Sequence, residues 1–257
     1  MLTRDELVYI KNILNVSNTK NIDFSLLDNV FTAFEHEPNF KDDIYDSFSR
    51  NQFLAKNNLV QRLDDLNLLN KDTEVVIWGC WYGSILIPLL HDKVRKITAI
   101  DFDDNVVTIG KNRLFEEYFK VDWITGDLFE DYKEAYNDAD IFINTSCEHM
   151  LPMKWWGPKG PRSSHNYFLE WDGDYRREWK GADENNWPVY DIAWWDRVKP
   201  TAHFAFTSND MHDIEGHINC VDSIEEFKLQ LPPGAEVLAE DELEDERGTR
   251  YLLIGKI

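Results

Sequence analysis

The stretch from Glu74 to Leu90, EVVIWGCWYGSILIPLL, constrains the fold of this chain more than any other. It opens with a short apolar run over residues 74–78, which contains two valines and is typical of a parallel strand buried on both faces. A turn with Gly79 and Gly83 follows, and the apolar run that then resumes predicts a helix over residues 83–90. Strand, glycine-bearing turn and helix in this order are typical of a Rossmann-like α/β sheet.

Three further strands are predicted downstream, and each of them leads to a polar residue. They cover residues 96–100, 121–124 and 140–144 and lead to Asp101, Asp127 and Asn144, respectively. Helices over 104–114 and 129–136 separate these strands, and this alternation implies a right-handed parallel sheet. Because the carboxyl ends of parallel strands meet at one edge, the polar residues favour a nucleoside-containing cofactor lying across that edge.

The C-terminal part of the sequence adds strands to this sheet. Alternating apolar residues predict a fifth strand over 202–207, and residues 222–231 predict a helix with Asp222 or Ser223 as its N-cap. Residues 235–243 and 249–257 predict a closing antiparallel pair. The expected fold class is therefore α/β, with a mostly parallel, seven-stranded Rossmann-like sheet that ends in an antiparallel strand.

The N-terminal region predicts a helical appendage. Residues 3–70 contain no glycine, and their apolar positions recur at helical spacing, which predicts three or four helices broken near Asn18 and Pro38. We expect a helical cap over residues 1–71 and a Rossmann-like domain over residues 72–257. The cap is expected to pack on the sheet edge, with a substrate lid or a homodimer surface as open alternatives.

Residues 150–200 differ from the rest of the chain, since seven of its ten tryptophans fall there. About 50 residues without clear periodicity exceed an ordinary connection, and such loops tend to be functional or disordered. The aromatic content argues against disorder. Two interpretations stay open for this insert: an aromatic box for a cationic or planar acceptor, and core filler beneath a long loop.

Composition narrows the classes of partner and compartment. The formal net charge of −21 disfavours a nucleic-acid partner, because binding a polyphosphate normally draws on clustered Lys and Arg. Three widely spaced cysteines predict neither a disulfide framework nor a cysteine zinc site. The apolar runs are too short for a membrane span, and the N-terminus lacks the apolar core of a secretory signal. The expected location is the cytoplasm, or the host cytoplasm if the protein is viral.

The order of Gly79-x-x-x-Gly83, Asp101, Asp127 and Asn144 at four successive strand ends resembles the class I S-adenosylmethionine-dependent methyltransferases. The resemblance covers about residues 72–150. It implies S-adenosyl-L-methionine as the cofactor. It also implies that the turn of Gly79, Cys80 and Gly83 binds the methionine part.

The same resemblance implies roles for the other strand-end residues. Asp101 would accept hydrogen bonds from the ribose hydroxyls, and Phe102 would pack on the adenine ring. Asp127 would accept from the adenine amino group while Leu128 supplies a backbone donor. Asn144 would face the transferred group.

Two residues depart from the pattern of the family. Ile77 stands where that family usually has an acid, and Trp81 stands where it has a third glycine. Because tryptophan is bulky, either its side chain points away from the cofactor or the methionine end is held differently.

A narrower resemblance rests on two segments, NTSCEHM at 144–150 and SND with EGHINCVDSIEEF at 208–227. They look similar to an uncharacterised group of methyltransferase-like proteins found in tailed bacteriophages and bacteria. This resemblance supports the fold and implies no substrate.

The residues after the fourth strand are the candidates for chemistry on the acceptor. Asn144, Glu148 and His149 are the predicted catalytic residues, with Glu148 or His149 as the base that takes a proton from the acceptor. The alternative is that both only cap the turn.

Neither a nucleophilic cysteine nor a metal site is expected in this region. Cys147 has no identifiable partner base. A metal site from Glu148, His149, His212, Asp213 and His217 is chemically reasonable. Since this spacing matches no recognised ligand pattern, no metal is predicted.

The resemblance implies an S-adenosylmethionine-dependent methyltransferase acting on a small molecule or a protein. A first rival transfers the aminocarboxypropyl part of the cofactor, as nicotianamine-synthase-like proteins do, because the helical N-terminus and the pair Asp101 and Asp103 are compatible with it. A second rival is a non-catalytic, acidic binding protein on the same fold.

Overall fold

The computed structural model describes residues 10–11, 25–126, 138–150, 152–153, 195 and 198–257. Contacts divide the chain into two compact units, a first unit of residues 1–126 and a second unit of residues 127–257. The predicted boundary between residues 71 and 72 stays a prediction. The tryptophan-rich segment and the predicted helix at 129–136 lie almost wholly outside the described residues.

The N-terminal helices of the first unit follow the predicted periodicity. They are α1 (Ser25–His36), α2 (Lys41–Ser47) and α3 (Arg50–Asp65), and a short 3₁₀ turn at Pro38–Phe40 separates the first two. The helix α1 buries Leu26, Val30 and Ala33, whose i, i+4, i+7 spacing gives one apolar face. The predicted break near Pro38 is confirmed, and the one near Asn18 falls outside the described residues.

Three parallel strands form the sheet of the first unit. They are β1 (Glu74–Trp78), β2 (Lys96–Asp101) and β3 (Val121–Thr125), in the order β3-β2-β1. All residues of β1 and β2 except the first of each are buried, as the continuous apolar runs predicted. Their register pairs Ile77 with Ala99 and therefore brings the ends of β1 and β2 side by side.

The helix after β1 begins later than predicted, and the helix after β2 ends in a π-helical stretch. After β1, α4 (Leu86–His91) begins three residues later than expected, because Gly83 has a φ of +67° and cannot be helical. After β2, α5 (Asp104–Ile109) passes into a π-helical stretch, Gly110–Leu114. A Cβ atom on Gly110 would lie 2.5 Å from the indole of Trp123, so this glycine lets the ring approach the helix.

The second unit contains a four-stranded sheet in the order β4-β5-β7-β6. The strands are β4 (Ile141–Asn144), β5 (His203–Asn209), β6 (Glu236–Glu244) and β7 (Thr249–Lys256). β4 and β5 are parallel, and β7 is antiparallel to both of its neighbours. β6 forms the edge, with alternating exposed positions that include Glu240, Glu242 and Glu244.

A short helix, α6 (Ile224–Lys228), precedes this hairpin. The Ser223 hydroxyl accepts a hydrogen bond from the backbone N–H of Glu226, and the Glu226 carboxylate accepts one from the N–H of Asp222. This arrangement resembles a capping box, except that the glutamate accepts from the residue before the N-cap, and the N-cap of α6 is Ser223 rather than Asp222.

Together the units contain the seven strands of a mixed, mostly parallel sheet with an antiparallel C-terminal strand, as predicted. The parallel strands carry much of the core, with Trp78, Phe142 and Phe204 among the large side chains that are fully buried. Among the described residues, no helix combines the length and apolar character needed to cross a membrane.

Candidate functional site

The turn after β1 has three residues with left-handed backbone conformations. The φ angles are +57° at Gly79, +50° at Trp81 and +67° at Gly83. Glycine adopts this region without steric cost, whereas an L residue with a side chain is strained there by roughly 1–2 kcal/mol. Trp81 therefore stands at a position whose backbone conformation favours glycine, which accounts for the third glycine expected in this turn.

Gly83 is required for packing as well as for conformation. A Cβ atom at this residue would lie 2.2 Å from Cδ1 of Ile87 and 3.2 Å from the ring of Trp123. Because Gly83 has no side chain, the start of α4 can pack close to Trp123 on β3.

Asp101, at the end of β2, links this strand to the turn after β1 through a hydrogen bond. Its Oδ2 accepts a hydrogen bond of 2.8 Å from the backbone N–H of Trp81, and its Oδ1 accepts one of 3.1 Å from the N–H of Asp103. The residue is only 8% exposed, and burial raises the pKa of its carboxyl group against the opposing effect of these hydrogen bonds. A hydrogen bond from the backbone N–H of Phe102 also lowers the pKa of this carboxyl group, and a carboxylate has about four acceptor sites in all.

The neighbours of Asp101 have contrasting environments. Phe102 exposes 60% of its surface beside the buried carboxylate. Asp103 is the N-cap of α5, where its Oδ1 accepts from the backbone N–H of Asn105. The second acid of the Asp101 and Asp103 pair thus has a structural explanation.

Cys80 contributes to the turn through its backbone. Its N–H donates to the carbonyl of Ile100 at 3.0 Å and so extends the pairing of β1 with β2 beyond Trp78. Its side chain is buried, and desolvation followed by the nearby Asp101 charge raises the pKa of the thiol well above its ordinary value. The thiol is therefore protonated at neutral pH.

The side chain of Trp81 contacts the N-terminal helices. Its indole Nε1 donates to Oδ2 of Asp43 on α2, and the hydroxyl of Tyr82 donates to the same oxygen at 2.8 Å. The ammonium of Lys56 on α3 lies 5.7 Å from the centre of the indole ring. Asp43 could not be identified from the sequence, because its partners lie nearly 40 residues away.

A second polar contact joins α2 to the segment after the turn. The hydroxyls of Ser47 and Ser84 are both buried and lie 2.6 Å apart. Ser47 also donates to the carbonyl of Ile44. The N-terminal helices of the first unit thus contact the glycine turn and the segment after it through hydrogen bonds, at positions that the periodicity of the sequence does not distinguish.

In the second unit, Asn144 ends β4 and shapes the turn that follows. It is fully buried, and its Oδ1 accepts a hydrogen bond of 2.8 Å from the N–H of Ser146. Its Nδ2 lies 3.3 Å from the sulfur of Met150. Both polar atoms of the Asn144 amide are therefore used within the 144–150 segment.

Glu148 and His149 lie on a 3₁₀ turn, Cys147–His149, within the 144–150 segment. A carboxylate oxygen of Glu148 and a ring nitrogen of each of His149 and His217 lie within 4.8 Å of one another. The two imidazole rings meet edge to face, with centroids 4.6 Å apart. Burial and the neighbouring His149 lower the pKa of His217 to about 4, so this ring is neutral at neutral pH.

Backbone hydrogen bonds bring these distant residues together. The carbonyl of Glu148 accepts from the N–H groups of Ile218 and Asn219, each at 2.8 Å. The Asn219 side chain donates to the carbonyl of Cys147 and exchanges two hydrogen bonds with the amide of Gln230. The segment that carries His217 is therefore fixed to the turn that carries Glu148.

The other candidates from the sequence have more ordinary surroundings. The Cys147 thiol is fully buried, and desolvation raises its pKa well above the usual value, which disfavours a nucleophilic thiolate. His212 pairs with the exposed carboxylate of Asp222 at 2.6 Å. Asp127 and Leu128, predicted to contact adenine, lie outside the described residues.

Comparison with known proteins identifies the fold. The chain is similar to the N-methyltransferase NodS from Bradyrhizobium japonicum, with a TM-score of 0.50 and 11% identity over 80% of this chain and 95% of that chain. At this identity the likeness shows the fold alone: this chain has the Rossmann-like methyltransferase fold that its sequence predicted.

Two further solved structures are similar at lower scores. TrmK of M. capricolum in complex with S-adenosyl-homocysteine has a TM-score of 0.46 and 10% identity, covering 79% of this chain and 67% of that chain. Aeropyrum pernix fibrillarin with natively bound S-adenosyl-L-methionine has a TM-score of 0.43 and 12% identity, covering 72% of this chain and 67% of that chain. No family model and no curated protein matches the chain.

Proposed function

We propose that this chain is an S-adenosylmethionine-dependent methyltransferase whose acceptor is a small molecule or a protein. The carrying observation is the direct hydrogen bond between the Asp101 carboxylate and the N–H of Trp81 in the turn after β1. It places a buried acid against a glycine-bearing turn, with the exposed ring of Phe102 beside it. A nucleoside offers hydroxyl donors for the acid and a flat base for the ring, so these residues fit such a cofactor.

Each residue has a defined part in holding the cofactor. Gly79 and Gly83 allow the backbone of the turn to approach the methionine part. The Asp101 carboxylate accepts hydrogen bonds from the two ribose hydroxyls, and Phe102 packs on the adenine ring. Asp127 and Leu128 retain their predicted role at the adenine edge.

S-adenosylmethionine, when bound, supplies a methyl group on a sulfonium sulfur, and transfer of that methyl group leaves S-adenosylhomocysteine. The residues of the chain position the nucleophilic atom of the acceptor. When that atom is protonated, a residue of the chain also accepts its proton. Asn144 is the proposed residue at the transferred group, and Glu148 or His149 is the proposed base. The similarity of the 144–150 and 208–227 segments to phage-associated methyltransferase-like proteins is part of this proposal.

Calorimetry with S-adenosylmethionine tests the cofactor assignment. We expect the wild-type chain to bind, and Asp101→Asn to bind roughly 10–150-fold more weakly, because a hydrogen bond to a charged group contributes about 1.5–3 kcal/mol. The matched control is Asp122→Asn, which removes an exposed carboxylate from β3. Equal affinity of Asp101→Asn and the control would remove the basis of the proposal.

Phe102→Ala provides a second, independent measure. Stacking of a base on an aromatic side chain is worth about 1–3 kcal/mol, so we expect affinity to fall roughly 5–150-fold. Phe119→Ala is the matched control, because that ring is 84% exposed elsewhere in the same unit. If both variants bind alike, Phe102 does not contact adenine.

Product analysis separates methyl transfer from its rival. S-adenosylhomocysteine is the expected product with a methyl acceptor, whereas 5′-methylthioadenosine would indicate aminocarboxypropyl transfer. The N-cap role of Asp103 explains the second acid of the pair without that reaction.

A further inference from the structure

An unsatisfied polar atom lies in the interior of the second unit. Glu148 is 5% exposed, and its Oε2 has no hydrogen-bond partner among the described residues. Burying a carboxylate oxygen without a partner is unfavourable, and such groups in folded proteins normally meet a donor or a cation. The surroundings of this oxygen therefore indicate what it binds.

The two imidazoles beside Glu148 are oriented by backbone carbonyls. Nδ1 of His149 lies 2.9 Å from the carbonyl of Gly216, and Nδ1 of His217 lies 3.0 Å from the carbonyl of Met211. A carbonyl oxygen only accepts, so Nδ1 carries the hydrogen in both rings and the lone pair is on Nε2. Metal-binding histidines show this same arrangement, in which the second ring nitrogen donates to a carbonyl or carboxylate.

The three side chains form one compact donor set. A carboxylate oxygen of Glu148 and a ring nitrogen of each histidine lie within 4.8 Å of one another, a spacing at which such a group could hold a metal ion. Two imidazoles and one carboxylate suit a divalent first-row transition metal, with coordination positions left for water or another ligand.

We propose that Glu148, His149 and His217 bind one divalent transition-metal ion. The site is built into the fold, because the Glu148 carbonyl accepts the N–H groups of Ile218 and Asn219 and so fixes the two contributing segments to each other.

A metal ion and a proton compete for the same lone pairs on Glu148 and His149. The metal site and the general-base role are therefore alternatives for these two residues. Metal binding is measured without S-adenosylmethionine, so its failure is distinguishable from failure of the methyltransferase proposal.

Titration of the whole chain with Zn²⁺ tests the site. After treatment with EDTA and dialysis, we expect calorimetry to show about one equivalent of tight binding, as a site with three protein ligands requires. Glu148→Gln and His217→Asn should each weaken binding by at least about 10-fold. The control His36→Ala removes an imidazole from α1 and should bind as wild type. No binding by the wild-type chain, or equal binding by all four proteins, overturns the proposal.

A second readout needs no variant and therefore covers the case in which a ligand substitution prevents folding. Diethyl pyrocarbonate modifies accessible imidazoles, and mass spectrometry identifies each modified histidine. We expect Zn²⁺ to protect His149 and to leave the exposed His36 reactive. Equal reactivity of His149 with and without Zn²⁺ overturns the site.

Discussion

Two buried acids, Asp101 in the first unit and Glu148 in the second, follow parallel strands and yet have opposite surroundings. The carboxylate of Asp101 accepts two backbone N–H groups, from Trp81 and Asp103. One carboxylate oxygen of Glu148 has no partner among the described residues. A buried acid that is satisfied by backbone donors fixes the shape of a turn, whereas one that is not retains the capacity to bind something else. The same kind of substitution should therefore have opposite effects at the two residues.

The largest effect is expected at Asp101. Asp101→Leu leaves the N–H groups of Trp81 and Asp103 without their acceptor, and each unsatisfied donor costs about 1–3 kcal/mol. We expect the free energy of unfolding to fall by roughly 2–5 kcal/mol in urea denaturation. Asp122→Leu, at an exposed acid of β3, should change it by less than about 0.5 kcal/mol. Similar losses in the two variants would contradict the structural role of Asp101.

Gly83→Ala should be the next most damaging change. It places a side chain in the left-handed region, at roughly 1–2 kcal/mol, and overpacks Ile87 and Trp123. We expect a loss of about 2–4 kcal/mol by urea unfolding. Gly234→Ala is the matched control, because that glycine has a φ of +86° and no atom within 4 Å of the added Cβ. If the two losses are equal, packing at Gly83 contributes nothing.

Glu148→Met should act in the opposite direction. The substitution removes the unsatisfied oxygen and keeps much of the side-chain volume, so the metal-free chain should become more stable by about 1–3 kcal/mol. Urea denaturation in the presence of EDTA measures this gain. A loss of stability in EDTA would mean that Glu148 has a partner and that the contrast with Asp101 is unfounded.

Trp81 allows the backbone strain of the first turn to be measured by itself. Trp81→Ala and Trp81→Gly both lose the contact with Asp43, but only glycine adopts the φ of +50° without strain. We therefore expect the glycine variant to be more stable than the alanine variant by about 1 kcal/mol. Equal stability would show that the turn rearranges once the indole is removed.

The smallest expected effect is a pH dependence at Asp101. Burial raises the pKa of this carboxyl group in the folded chain, so between the unfolded and the folded pKa the folded state binds more protons. The contribution of Asp101 to the free energy of unfolding therefore falls as the pH rises through that window. Asp101→Asn lacks this titration, so its stability relative to wild type should rise from about pH 3.9 upward and then level off. Urea unfolding at a series of pH values checks this, and a constant difference contradicts it.

The strands could be predicted from the sequence, because buried parallel strands need continuous apolar runs and turn residues end them. The bounds of β1 were predicted without error, and those of β2 and β3 differ by one residue. The start of α4 could not be predicted, because it depends on the φ of Gly83. Local sequence shows where a strand ends, but not which conformation the following turn adopts.

The candidate site was predictable only where it depends on strand order. Asp101 and Phe102 were found from their position after β2, and the prediction of their roles remains to be tested. The contact of Trp81 with Asp43 and the grouping of His149 with His217 depend on tertiary hydrogen bonds. No spacing rule relates these residues, so only the folded chain shows that they meet.

The acidic edge of β6 has a consequence for how copies of this protein meet in solution. An uncovered edge strand offers unpaired backbone groups to another chain, and charged side chains along it discourage that pairing. Lys228 pairs with Glu240, but Glu236, Glu242 and Glu244 also take exposed positions on β6, so two such edges brought together would oppose carboxylates. Protection against self-association through this strand is therefore electrostatic, and it should weaken as added salt screens the charges.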